Sequence, residues 1–383
     1  MNEPPIFIID SLIGKLGILL FLCALKCLVG ASPLEKLLHL PNVHESTFYR
    51  RASGDRVECI LCERRCIIPF GEYGFCRTRL NINGRLYTVV YGALSAIEGR
   101  PIEIKPFFHY WPGSTALTFS TWSCNFNCPW CQNWTLSKVS PSPDKMEYYD
   151  PLDIVNLAVQ SGDEGLCASF QEPTLLTDWN IDVFKIGREM GLYACYVSNG
   201  YMTLEALKAL QESGMDGLKI DIKGDSEVYE KFCGGIDLEK IWRNVNEAKR
   251  MGFHVELVNL VITGTNDDEE CLRGIIERAL KEAGPDTPIH FTRYYPAYKF
   301  DKPATSIRTL EKAYEMARSM GMQYPYIGNV PGHRYEHTYC PNCHELLIKR
   351  YGFSVIRYNI TEDNKCPKCG FSINIRGKYI RRK

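Results

Sequence analysis

Ser123-Cys124-Asn125-Phe126-Asn127-Cys128-Pro129-Trp130-Cys131-Gln132-Asn133 carries three cysteines at C-x3-C-x2-C spacing. A strand-like run, Ala116-Leu117-Thr118-Phe119-Ser120-Thr121-Trp122, leads into it, so the cysteines sit on a loop at the C-terminal end of a strand. Three thiolates are one too few for a closed tetrahedral metal site. They suit a cubane of four irons, whose fourth iron then has no protein ligand. An open position is where a metal centre does chemistry. Neither chance nor a defective zinc site explains three thiols placed this closely.

Downstream, strand-like and helix-like stretches alternate, as a parallel α/β unit requires. Strands are expected at 116–122, 166–170, 193–197, 218–222, 254–262 and 289–294, and helices at 152–160, 181–190, 204–211, 238–250, 269–282 and 307–320. Six such units make a partial (β/α)6 barrel, and parallel barrels gather their active sites at strand C-terminal ends. The cysteine loop, Glu172, Ser198-Asn199, Asp221-Lys223 and His290-Arg293 are expected at such ends. Asp221 and Lys223 alternate with Ile220 and Ile222, so both face one side of a strand, the inside of a barrel. A polar pair there reads as a catalytic group. Ser198 and Asn199 precede Gly200, and Ser-Asn-Gly is also a common turn. His109 and His290 carry weaker signals, because a lone histidine is usually structural.

Two further cysteine groups flank the barrel. Cys59, Cys62, Cys66 and Cys76 are spaced C-x2-C-x3-C-x9-C, with Gly71 and Gly74 allowing the chain to turn back. Four thiolates can close one site, and zinc and an iron–sulfur cluster both fit. Cys340-Pro-Asn-Cys343 and Cys366-Pro-Lys-Cys369 bracket a β-like stretch and read as a zinc ribbon, structural by default because no coordination position is open. The six other cysteines are Cys23, Cys27, Cys167, Cys195, Cys233 and Cys271. Cys167 and Cys195 read as small buried hydrophobes, and Cys233 is the one to test for reactivity.

The C-x3-C-x2-C loop resembles that of the radical S-adenosylmethionine (SAM) enzymes. The resemblance implies a 4Fe–4S cluster on Cys124, Cys128 and Cys131. SAM would chelate the fourth iron and be cleaved reductively to methionine and a 5′-deoxyadenosyl radical. It also implies that Trp130 packs on the adenine, that Glu172 accepts from the SAM ammonium, and that Ser198 and Asn199 reach the ribose. From about residue 55 to residue 372 the order of motifs is similar to the AmmeMemoRadiSam-system radical SAM proteins, relatives of the pyruvate formate-lyase activating enzymes. The matching pieces include the four-cysteine segment, Arg100-Pro-Ile-Glu-Ile-Lys-Pro106, Val197-Ser-Asn-Gly-Tyr201, Leu218-Lys-Ile-Asp-Ile-Lys223 and the terminal knuckles. Two places depart from the pattern. Ser169-Phe170-Gln171-Glu172-Pro173 replaces Thr-Tyr-Asn-Glu-Pro, and Thr263-Gly264 stands where a proline-containing turn is expected. Glu172 is kept, so the departures bear on the substrate pocket. The family likeness further implies a low-potential electron donor, ferredoxin or flavodoxin. It also implies a protein or peptide substrate, with a small molecule second.

The chain has 383 residues with 45 Lys+Arg and 45 Asp+Glu, a net charge of zero. That balance argues against a surface built for nucleic acid or acidic lipid. An odd count of 17 cysteines, grouped at metal spacing, argues against a disulfide-stapled secreted protein and for the cytoplasm. Residues 5–30 contain an apolar run at 16–25, half of the about twenty residues that a bilayer span needs. It reads as a packed or amphipathic helix, with peripheral membrane contact as the weaker reading. The expected organisation is an apolar extension at 1–50, a four-cysteine metal-binding segment at 51–112, the barrel at 113–330, and the ribbon with its basic tail at 331–383. The rival reading is a non-enzymatic module of three zinc sites whose tail or ribbon contacts nucleic acid or protein. It accounts for the ribbon and fails at the three-cysteine loop.

Overall fold

The computed structural model describes residues 32–382. The apolar stretch at 5–30, with Cys23 and Cys27, lies outside the described residues. Among those described, no helix is long and apolar enough to cross a membrane.

Eight strands form the central sheet: β1 (Ala96–Pro101), β2 (Thr115–Ser120), β3 (Gly165–Ala168), β4 (Tyr193–Ser198), β5 (Gly217–Asp221), β6 (His254–Val261), β7 (Ile289–Arg293) and β8 (Pro325–Gly328). Their order in space follows the chain. Strands β2 to β8 are parallel, and β1 pairs antiparallel with β2 at the edge. Helices α1 (Pro151–Ser161), α2 (Thr177–Glu189), α3 (Leu204–Ser213), α4 (Ser226–Cys233), α5 (Leu238–Arg250), α6 (Glu269–Ala283) and α7 (Ile307–Met320) connect them. The six expected βα units are present as a partial barrel. The structure adds the antiparallel edge β1, the helix α4, and a seventh parallel strand, β8.

Local chemistry explains these elements. Strand β6, HVELVNLV, is buried along almost its whole length, as a strand covered on both faces must be. Helix α5 starts where the Asp237 carboxylate accepts from the Glu239 N–H, and ends with Lys249 and Arg250 in its last turn, where cations suit the helix dipole. Ile241, Trp242, Val245 and Ala248 form its buried stripe at helical spacing.

The N-terminal ends of the strands are closed by a polar floor. Glu256 on β6 accepts from the Phe108 and His109 backbone N–H groups at 3.0 and 2.7 Å and meets Nε2 of His254 and of His290 at 2.9 and 2.7 Å. Burial opposes its charge, but the two histidines outweigh it and hold the carboxyl well below the usual range. His109 bridges Asn374 O and Tyr326 Oη at 2.9 and 2.6 Å. Both histidines singled out by sequence are therefore part of the floor.

The ribbon strands Thr338–Tyr339, Leu346–Tyr351 and Ser354–Tyr358 pack under that floor through Phe108, Tyr324, Tyr326, Leu347 and Ile348. Arg350 is buried there and donates to Phe108 O at 2.7 Å. The basic tail folds back onto the barrel. Arg376 pairs with Asp216 at 2.9 Å and Arg382 with Glu164, residues just ahead of β5 and β3.

Candidate active site

At the other end, the strand C-termini surround a cavity of about 450 Å³. Cys124, Cys128 and Cys131 all line it, together with Trp130, Glu172, Ser198, Asn199, Asp221 and Lys223. Every residue expected at the SAM site is thus brought to one place. Arg293 and His290 are not part of the lining. Arg293 donates to Thr305 O at 2.8 Å.

The cysteine loop is pinned from several sides. Ser123, with φ of +73°, donates through its hydroxyl to Cys76 O at 2.7 Å, and Lys138 donates to Phe126 O at 3.0 Å. The Phe126 N–H points at Cys124 Sγ at 3.3 Å, and Ser137 Oγ lies 3.1 Å from Cys131 Sγ. Cys128 Sγ lies 3.7 Å from the sulfur of Cys233, which is fully buried and ends α4. No three ligand atoms at this loop lie within 4.8 Å of one another; among the described residues only the C-terminal four thiols do. Spread sulfurs suit ligands on separate irons rather than on one ion. The donor set therefore fits a cluster that opens on the cavity.

Glu172 does two jobs at once. One oxygen accepts from Thr174 N, Thr174 Oγ1 and Ser198 Oγ at 3.1, 2.5 and 2.8 Å. The other accepts from the Asn199 N–H at 2.8 Å. It caps the short helix Pro173–Leu176 and ties the ends of β3 and β4 together. Burial pushes its carboxyl above the usual value, and these donors offset part of the rise. The Ser198-Asn199-Gly200 turn needs its glycine: φ is +75°, and a Cβ would stand 2.8 Å from Ile220.

Asp221 contacts Lys219 and reaches Lys223 Nζ at 3.3 Å. Burial would raise the Asp221 carboxyl, but the two ammonium groups outweigh it and hold it below its ordinary value. Burial would likewise lower Lys223, and Asp221 reverses that shift. Sequence reasoning missed Lys219. The period-2 signal that found the other two extends to it, since all three share one strand face.

Two more lining residues, Gln171 and Lys105, entered the sequence reading only as parts of longer motifs. Gln171 is buried, and neither its Oε1 nor its Nε2 has a partner. The preceding Phe170 holds φ of +71°, a strained backbone for a bulky residue. Lys105 places its Nζ 4.3 Å over the Phe170 ring, and burial depresses its pKa. Trp130 is walled by Phe232 and Phe300 at 5.5 and 5.4 Å between ring centres.

The profile of the radical SAM superfamily matches residues 120–279. An uncharacterized protein of Methanocaldococcus jannaschii is 41% identical over 335 residues, covering 87% of this chain and 99% of its own. The chain belongs to the radical SAM superfamily. A GTP 3′,8-cyclase of Nautilia profundicola is 24% identical over 247 residues, 61% of this chain and 76% of that protein. A domain of pyruvate-formate lyase-activating enzyme from Bacteroides vulgatus aligns at 21% identity over 43% of this chain and 99% of its own, with a TM-score of 0.38. As radical SAM proteins use an iron–sulfur cluster to cleave SAM reductively, the cavity with its three thiols is the place in this chain where that chemistry fits.

The C-terminal thiols form the other compact group. Cys340 and Cys369 sulfurs lie 3.5 Å apart, and those of Cys343 and Cys366 lie 3.6 Å apart. All four fall within 4.8 Å of one another, close enough to hold one metal ion.

Proposed function

We propose that this radical SAM enzyme binds SAM beside a 4Fe–4S cluster on Cys124, Cys128 and Cys131 and abstracts hydrogen from a protein or peptide substrate, as an activating enzyme does. The observation that carries the reading is the convergence of three spread thiols, Trp130 and the Glu172 frame on one cavity. When bound, the cluster and SAM supply a 5′-deoxyadenosyl radical. The chain's own residues bind and orient. Trp130 offers an aromatic wall to the adenine. Glu172 acts through Ser198 and Asn199, whose positions it fixes: Oε1 already takes three protein donors and Oε2 one, which leaves Oε2 room for one further donor. Lys219, buried, and Asp221 and Lys223, half-buried, form a charged row in the cavity lining, and Lys223 stays protonated and oriented by Asp221. We assign them to substrate positioning, with Gln171 beside them.

The C-terminal thiols take zinc and brace the fold. Electrons come from a low-potential donor, ferredoxin or flavodoxin, in a reducing cytoplasm, a setting in keeping with free thiols at all described cysteines. Exposed aromatic side chains near lining residues support a macromolecular substrate: Trp134 follows Asn133 and stacks on Tyr298, and Tyr295 donates to Asn329 O. A small anionic substrate is the second reading. It is favoured by Lys105, which has no ion-pair partner among the described residues, and by the likeness to GTP 3′,8-cyclases. Against the rival zinc module, two of the basic residues of the tail, Arg376 and Arg382, are paired with Asp216 and Glu164.

Incubating the reduced enzyme and SAM with size fractions of a fully deuterated cell extract separates these readings. Deuterium entering 5′-deoxyadenosine from the macromolecular fraction supports the protein substrate. Transfer from the small-molecule fraction alone overturns it.

A further inference from the structure

Behind the cysteine loop lies a second pocket, lined by Cys59, Cys62, Cys66 and Cys76. All four are free thiols, and three are buried. Sequence spacing leaves zinc and an iron–sulfur cluster equally open here. The geometry does not.

The first observation is the sulfur spacing. A tetrahedral zinc with Zn–S of about 2.3 Å brings its four sulfurs to roughly 3.8 Å from one another. The C-terminal thiols of this same chain show that arrangement, with all four within 4.8 Å. At the N-terminal pocket no three of the four do. Thiolates bound to different irons of a cluster stand farther apart than thiolates on one ion.

The second observation is independent of the first. Two buried N–H donors on residues lining this pocket have no partner: Asn125 Nδ2 and Arg79 Nε. Both residues are fully buried or nearly so. The Asn125 Oδ1 accepts from Asn199 Nδ2 at 2.7 Å, which fixes the amide and leaves its NH2 without a partner. The Arg79 terminal nitrogens are taken by Thr88, Leu175 O and Asp178, which leaves Nε. An unmet buried donor costs about 1–3 kcal/mol. The sulfurs of a cluster are acceptors of the kind both donors lack.

We propose that Cys59, Cys62, Cys66 and Cys76 hold a second iron–sulfur cluster rather than zinc. Four protein thiolates complete its coordination, so it presents no open iron to a substrate. What it holds is a one-electron store next to the first site. Asn125 lines this pocket while its neighbour Cys124 lines the cavity, and Ser123 is tied to Cys76 O. The assignment stands apart from that of the Cys124 loop.

The test is metal and sulfide analysis of the anaerobically reconstituted C124A/C128A/C131A variant. The expected result is retained iron and acid-labile sulfide in equal amounts, about two or about four irons per chain, with one zinc. Zinc at about two per chain without iron overturns the proposal. Should that variant fail to fold, the parent protein serves. Reduced with dithionite, it should show two paramagnetic signals, of which SAM shifts only one. A single signal, wholly shifted by SAM, overturns the proposal. Failure of the Cys124 assignment would look different: iron kept in the triple variant, but no signal responsive to SAM in the parent.

Discussion

Gln171 stands beside the retained Glu172 in one of the two places that depart from the family pattern; it lines the cavity, and its two buried amide atoms have no partners. In the proposed substrate-positioning role, a bound molecule would supply those partners. Gln171→Leu should therefore weaken binding of SAM or substrate about ten-fold, the worth of one buried hydrogen bond, with the fold unchanged. Titration of SAM binding and substrate KM checks this, and no change in either would contradict it. Asp221 makes a second prediction. Its folded pKa lies below the ordinary 3.8 because Lys219 and Lys223 outweigh burial. A depressed carboxyl contributes stability that is complete above its unfolded pKa and is lost as pH falls through the folded value. Asp221→Asn should thus flatten the acid side of the stability profile below about pH 4. Urea midpoints from pH 7 to pH 2.5 measure it. A steep acid limb kept in the variant would contradict the ion-pair row. Asp221 and Lys223 were legible because strand period and charge coincide. Lys219 obeys the same rule. Cys233 beside Cys128 was not legible, since only the tertiary fold brings α4 to the loop.

At the scale of elements, the six βα units follow from their alternation of apolar runs. Strand β8 has only four residues and begins with proline, so no period can be read from it. Strand β1 contains exposed Glu98, Gly99 and Arg100, a polar edge that reads as loop until β2 pairs with it. The attachment of the N-terminal segment was also hidden. Arg79, buried in a short strand, pairs with Asp178 at the start of α2 at 2.6 Å. Asp178 also accepts from Ser46 at 2.7 Å. Removing one partner of a buried pair leaves the other charge uncompensated, at about 3–5 kcal/mol. Asp178→Ala should lose that much unfolding free energy in urea. A loss under about 1 kcal/mol, the worth of a surface pair, would show that this contact does not secure the segment.

The whole molecule has two ends with separate tasks. Chemistry-bearing residues gather at the strand C-termini, while the Glu256 floor, the ribbon and the basic tail close the N-termini. Composition could not place the tail, because pairing of Arg376 and Arg382 depends on residues more than 150 positions away. If the ribbon metal only braces the fold, stripping it with a chelator should lower Tm by several degrees and leave SAM binding unchanged below the transition. Loss of SAM binding at a temperature where the chain stays folded would contradict this separation. The account rests most on the three thiols that face the cavity. The most direct measurement is formation of 5′-deoxyadenosine from SAM by the anaerobically reconstituted, dithionite-reduced protein. The parent should produce it, and Cys124→Ala, Cys128→Ala and Cys131→Ala should each abolish it. No cleavage by a parent loaded with iron and sulfide, or full cleavage by any of the three variants, would contradict the account.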